Sequence, residues 1–139
     1  MKQPEVIDLS SRDLAHIPLL EGEEKLSTLR LCDNRISRIE NIVSLPHLLN
    51  LNLKGNQLRE LSGFAMQTNQ LVSLDLSYNF VSLIKNITAL TSLQELNLSH
   101  NKLEGPFEMS VIFCRLTQLR KIDLSHNSLN LVSVSQIGF

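Results

Sequence analysis

Apolar residues along this chain follow a short pattern that returns again and again. "LSTLRLCDNRI" begins at Leu26, "LLNLNLKGNQL" at Leu48 and "LVSLDLSYNFV" at Leu71. "LQELNLSHNKL" follows from Leu93 and "LRKIDLSHNSL" from Leu119. Each reads L-x-x-L-x-L-x-x-N-x-L, with isoleucine or valine standing in for leucine at some positions. The fixed asparagines, Asn34, Asn56, Asn79, Asn101 and Asn127, are 22, 23, 22 and 26 residues apart. A degenerate copy comes first: Ile7, Leu9, Leu14 and Ile17 each precede an isoleucine or leucine by 22 residues, with Arg12 at the asparagine position.

The pattern predicts elements. Leu-x-Leu alternation sends two side chains to one face of a short strand and the residue between them to the other. A strand this short cannot bury its apolar face alone, so successive copies stack and share one core. The strands then run parallel, one per copy, about 4.8 Å apart. The asparagine falls where the chain leaves the strand. Its amide carries both donors and acceptors, and so satisfies backbone groups that the turn would otherwise bury unpaired. A second apolar set at helix-like three-residue steps, such as Ile39, Ile42 and Leu45 or Ile84, Ile87 and Leu90, brings the chain back. In 22 residues this return leaves room for a 3-10 turn and little more.

Two stretches depart from the period. The fourth copy is four residues longer, and "EGPFEMSVIFCRLTQ" places Met109, Ile112, Phe113 and Leu116 at helical spacing after a Gly105-Pro106 turn. This predicts a short α-helix from about Ser110 to Thr117. The terminal "LNLVSVSQIGF" is apolar and uncharged, whereas "MKQPEVIDLSSRDLAHIPLLEGEEK" is polar enough to cap a stack. The expected organisation is one structural domain: residues 1–25 as an N-terminal cap with the degenerate copy, and residues 26–139 as five repeats, the last incomplete. The uncharged end favours a chain that continues beyond Phe139.

The motif with its fixed asparagine resembles the leucine-rich repeat over roughly residues 5–135. "NRISRIENIVSLPHL" after Asn34 resembles the 22-residue class found in the type 1 protein phosphatase regulatory subunit and an axonemal dynein light chain. The resemblance implies an α/β solenoid. About six short strands would form a curved parallel sheet on the concave side, with 3-10 turns and the one short helix on the convex side. It also implies that non-leucine strand positions face a partner across the concave sheet. On this reading the partner-binding positions are Arg30, Asn52, Asp75, Tyr78, Phe80, Asn97, His100, Asp123 and His126.

Tyr78 and Phe80 stand out among them. The chain has one tyrosine, five phenylalanines and no tryptophan, yet two rings bracket Asn79 where the other repeats carry small, polar or charged residues. Exposed aromatics within a polar rim supply the buried anchor that a protein-binding hot spot needs. An alternative keeps both rings structural, Phe80 against the next turn and Tyr78 over the sheet edge.

Composition narrows the function. With 13 basic and 14 acidic residues the net charge is −1, which supplies no basic field for non-specific nucleic-acid binding and no polybasic run for a membrane. Cys32 and Cys114 lie far apart without metal-type spacing and are expected to be free thiols in a reducing compartment. No apolar leader opens the chain, so the cytoplasm is the expected location, with nucleus or cytoskeleton as variants. Asn86-Ile-Thr88 and Asn97-Leu-Ser99 match the glycosylation sequon, and a secreted receptor ectodomain would carry glycan there.

Chemistry finds little purchase. His100 and His126 occupy one column of adjacent repeats with Asp123 near, which suggests a metal or acid–base pair. The "LSHN" sequence is ordinary for the repeat, however, and a surface histidine needs no role. No phosphate loop, nucleophile elbow or Cys–His pair is present. The expectation is a non-enzymatic regulator or scaffold that binds a protein, with no cofactor, metal, nucleic acid or small-molecule substrate. The alternative is the recognition part of a larger receptor or signalling protein whose other domains follow Phe139.

Overall fold

A computed structural model of the chain describes residues 4–64, 68–85, 87–105 and 114–129. Six three-residue strands form one parallel sheet, each made by the middle of an L-x-x-L-x-L segment. They are β1 (Val6–Asp8), β2 (Thr28–Arg30), β3 (Asn50–Asn52), β5 (Ser73–Asp75), β7 (Glu95–Asn97) and β8 (Lys121–Asp123). They follow one another in chain order, so the molecule is a solenoid in which each repeat touches its neighbours.

The register keeps like positions in file. Ile7, Leu29, Leu51, Leu74, Leu96 and Ile122 pair across the sheet, flanked by the rows Val6 to Lys121 and Asp8 to Asp123. Backbone bonds continue past the strands. Leu31, Leu53, Leu76 and Leu98 each donate an N–H to the next repeat's third strand residue, at 2.8 Å. Behind the sheet Leu29, Leu31, Leu51, Leu53, Leu74, Leu76, Leu96 and Leu98 form a continuous buried core, closed on the return side by Ile39, Ile42, Leu45, Ile87 and Leu90. The return after Ile84 makes a 3-10 turn at Ile87–Ala89, as its length requires.

The five asparagines stand in single file. The Asn79 side-chain carbonyl accepts from Leu58 N–H at 3.0 Å. Its amide donates to Leu53 O at 2.9 Å, Leu76 O at 3.0 Å and Ser77 O at 3.2 Å. Asn34, Asn56, Asn101 and Asn127 repeat the scheme, so a leucine carbonyl such as Leu53 O serves two successive amides. In the degenerate first copy no amide occupies the position; the Leu14 N–H reaches the Asn34 side-chain carbonyl as in the other repeats, and the Arg12 N–H joins it, both at 3.0 Å.

One element was not expected. Past the asparagine row, β4 (Glu60–Leu61) and β6 (Leu83–Ile84) pair as a second, two-stranded parallel sheet. Gly63 follows β4 with φ +86°, and a Cβ there would come within 2.5 Å of the Ile39 carbonyl oxygen. Gly63→Ala is therefore expected to lower stability by about 1–3 kcal/mol, from left-handed backbone strain and a backbone clash. A urea titration measures it.

The short helix expected over about Ser110 to Thr117 falls partly on 110–113, outside the described residues. Cys114-Arg115 and Thr117-Gln118 are turns, and Leu116 between them is buried in the core. Met109, Ile112, Phe113, the apolar segment 130–139 and the sequon residue Asn86 also lie outside the described residues.

A candidate protein-binding face

The face of the sheet away from the core carries the rows beside the leucines. Arg30, Asn52, Asp75, Asn97 and Asp123 form one row in direct register, so the structure brings together these five candidates. Their residue types have a local cause that periodicity did not reveal. Asn52, Asp75, Asn97 and Asp123 each turn a side-chain oxygen back to the N–H two residues on, at 2.9–3.0 Å, and so close the turn that ends the strand. Asp75 and Asp123 also accept from the hydroxyls of Ser77 at 2.7 Å and Ser125 at 2.6 Å. Arg30 cannot do this, and the Cys32 N–H is met instead by Ser10 Oγ at 3.0 Å.

These bonds hold the Asp123 carboxyl below the ordinary carboxylate range, first through the Ser125 hydroxyl and then its N–H, with His100 and His126 adding a smaller electrostatic pull. Replacing Ser125 with alanine is expected to raise the Asp123 midpoint in a carbon-detected NMR titration. The native Asp123 bonds favour the fold above the carboxyl's unfolded pKa and are lost as pH falls through its lower folded value.

Three positions further on from this row lies the feature that sets the character of the face. Ser11, Asp33, Gly55, Tyr78, His100 and His126, the residue before each asparagine position or near it, all have φ between 54° and 73°. This left-handed turn aims the side chains outward as a column. The Tyr78 and His100 rings stack at 4.1 Å between centroids and 9° between planes, and His100 stacks on His126 at 4.0 Å and 12°. Lys54 Nζ caps the column, 5.3 Å from the Tyr78 centroid. Two imidazoles stacked face to face point their nitrogen lone pairs along near-parallel planes, so they do not converge on one ion. Among the described residues no group of three histidines, cysteines or acids gathers as a metal site.

Phe80 stands in the neighbouring row. It and Tyr78 are each 50% exposed, whereas Leu74, Leu76 and Val81 on either side are buried. The Phe80 backbone is fixed by its N–H to Leu58 O at 2.8 Å, and Ser82 and Lys102 are fixed likewise to Arg59 and Val81. Eight of the nine candidates thus sit on one lattice of backbone bonds, and the His126 ring joins it by stacking on His100. Cys32 lies on the same face, partly buried, and burial pushes its thiol above the usual value, so it is a poor nucleophile.

Leucine-rich-repeat family models match this chain: "Leucine Rich repeats (2 copies)" over residues 24–66 and "Leucine Rich Repeat" over 92–116 and 118–139. Its repeats are leucine-rich repeats, and the unmatched stretch between carries β5 and Asn79 in the same register. Human leucine-rich repeat-containing protein 49 is 37% identical over 59 residues, 42% of this chain and 9% of that protein. Among solved structures, a leucine-rich-repeat protein of Leptospira interrogans has a TM-score of 0.76 at 29% identity over 94% of this chain and 34% of its own. TLR13, solved in complex with ssRNA13, has a TM-score of 0.77 at 26% identity over 90% of this chain and 18% of its own. A chain of the LRIM1/APL1C complex has 0.60 at 25% identity, over 78% and 18%. The chain thus spans between 9% and 34% of the length of each of these proteins.

Proposed function

We propose that the chain is a non-enzymatic recognition module that holds a protein partner against the outer face of its sheet, with Tyr78 and Phe80 as the apolar anchors. The observation that carries this reading is the half-exposure of two large rings on a rigid backbone, surrounded by polar side chains that satisfy their own turns. Rigid aromatics lose little entropy on binding and are enriched where binding energy concentrates. Arg30, Asn52, Asp75, Asn97, Asp123, His100 and His126 supply the polar surround. The solved relatives include a chain in a two-protein complex, which supports the same use of the fold.

A protein partner is favoured over nucleic acid by Asp75, Glu95 and Asp123, which line an open hollow of about 230 Å³ on the sheet face with Lys121 as its one base. That hollow repels a continuous phosphate backbone. As part of the same reading we propose that the module acts in the cytoplasm as a regulator or scaffold, which the free thiol of Cys32 supports. Tyr78→Ala combined with Phe80→Ser tests the face. The folded double variant, immobilised beside the wild type, is expected to lose the protein that the wild type retains from a cell extract. Equal retention overturns the reading.

A further inference from the structure

The rim around Phe80 differs in charge from the rest of the face. Phe80, Arg59, Ser82 and Lys102 enclose a hollow of about 300 Å³, and all four are exposed. Lys54 lies one row inward, over the Tyr78 ring. Three other basic residues along this side have carboxylate partners: Arg35 pairs with Asp13, Arg38 with Glu40 and Lys85 with Glu60. Lys54, Arg59 and Lys102 have no ion pair among the described residues. Three unpaired cations therefore bracket the two exposed rings, whereas the acids Asp75, Glu95 and Asp123 collect in the hollow across β5, β7 and β8.

We propose that this rim is the docking site for an acidic segment of the partner protein, one that sets an aromatic or large aliphatic side chain on Phe80 and carboxylates on Arg59, Lys102 and Lys54. The inference rests on the reading of the face above and deepens it by naming the partner's chemistry. Arg59 and Lys102 flank the ring, so one extended segment meets apolar surface and charge together. The acidic hollow works in the opposite sense and keeps the segment on the rim. A peptide places its few carboxylates selectively beside these cations. A polynucleotide, charged at every residue, needs a continuous basic track that the acidic hollow interrupts.

The probes are a fluorescein-labelled dodecapeptide with two tyrosines set among glutamates, the same peptide with lysines replacing the glutamates, and polyuridylate of twelve residues. Fluorescence anisotropy is expected to show the glutamate peptide binding wild type at least tenfold more tightly than the other two, and more weakly as salt rises. Arg59→Glu with Lys102→Glu, checked for an unchanged thermal melt, is expected to reduce that binding at least tenfold. Glu95→Gln, in the acidic hollow and outside the candidate row, is expected to leave it equal or tighter. Preference for the lysine peptide or polyuridylate overturns the proposal. So does an unaffected Arg59→Glu/Lys102→Glu variant, or a folded wild type that binds no glutamate peptide. If that failure accompanies loss of the cellular protein by the Tyr78→Ala/Phe80→Ser variant, the face stands and only the acidic partner is lost. If the double variant still retains the cellular protein, the face itself is misassigned.

Discussion

Removing the two rings of the middle repeat is expected to weaken partner binding by roughly 30- to 1,000-fold while leaving the fold in place. Full burial of a phenylalanine-sized side chain contributes about 1.5–3 kcal/mol. Tyr78 and Phe80 are each half-covered already. A partner therefore gains about 0.75–1.5 kcal/mol of apolar burial from each, and more where the surrounding residues exclude water. Together the losses come to about 2–4 kcal/mol, or 1.4 kcal/mol for each tenfold in affinity. Stability should change far less. Neither ring belongs to the buried core, and both backbone N–H groups, which bond to Ser99 O and Leu58 O, survive the substitution. Alanine at position 78 meets the same left-handed φ of 56° that tyrosine already tolerates. It loses the His100 stack, worth about 1 kcal/mol at an exposed site. Calorimetric titration against the retained partner, alongside a thermal melt, separates the two effects.

Asn79→Ala is expected to do the opposite, destabilising the chain by about 1–3 kcal/mol with binding lost only through unfolding. The size follows from what the amide leaves behind. Leu53 O keeps its bond from Asn56, and Leu76 O keeps its bond from Asn101. Leu58 N–H, buried beneath the turn, loses its acceptor. The cost is that of orphaning one buried donor. Asn79→Asp should cost more at neutral pH, because it sets a carboxylate against the carbonyls of Leu53, Leu76 and Ser77. Those oxygens disfavour its charged form and raise its folded pKa, so the penalty should shrink on acidification and grow as pH rises. Urea unfolding of both variants at two pH values measures this.

The sheet, its order and the asparagine file were legible in the sequence because their causes are periodic. Leucine at fixed offsets is needed wherever a repeat buries one face, and an amide is needed wherever the turn buries a donor and acceptors. Tyr78 and Phe80 were legible as exceptions to that period. The column of His100 and His126 was legible too, as a shared register on adjacent repeats. Its left-handed backbone was not, because residues as different as Ser11, Asp33, Tyr78 and the two histidines adopt it and Gly55 alone hints at that φ. The stack of Tyr78 on His100 came only with the structure.

The row from Asn52 to Asp123 was legible as outward-facing, but its turn-closing role depends on an i to i+2 bond that a face assignment does not test. Serine at 10, 77, 99 and 125 was the available signal, since Asp-x-Ser and Asn-x-Ser favour such turns. The β4–β6 pairing escaped notice because Glu60-Leu61 and Leu83-Ile84 are two residues long and lie in the variable part of the repeat.

The most direct measurement places a photo-crosslinking benzoylphenylalanine at position 80 in one variant and at Val43, 55% exposed on the return side, in another. Irradiation with the retained partner is predicted to yield a covalent adduct from position 80 and none from position 43. An adduct from position 43 with none from position 80 would put the partner on the opposite side of the solenoid and contradict the account.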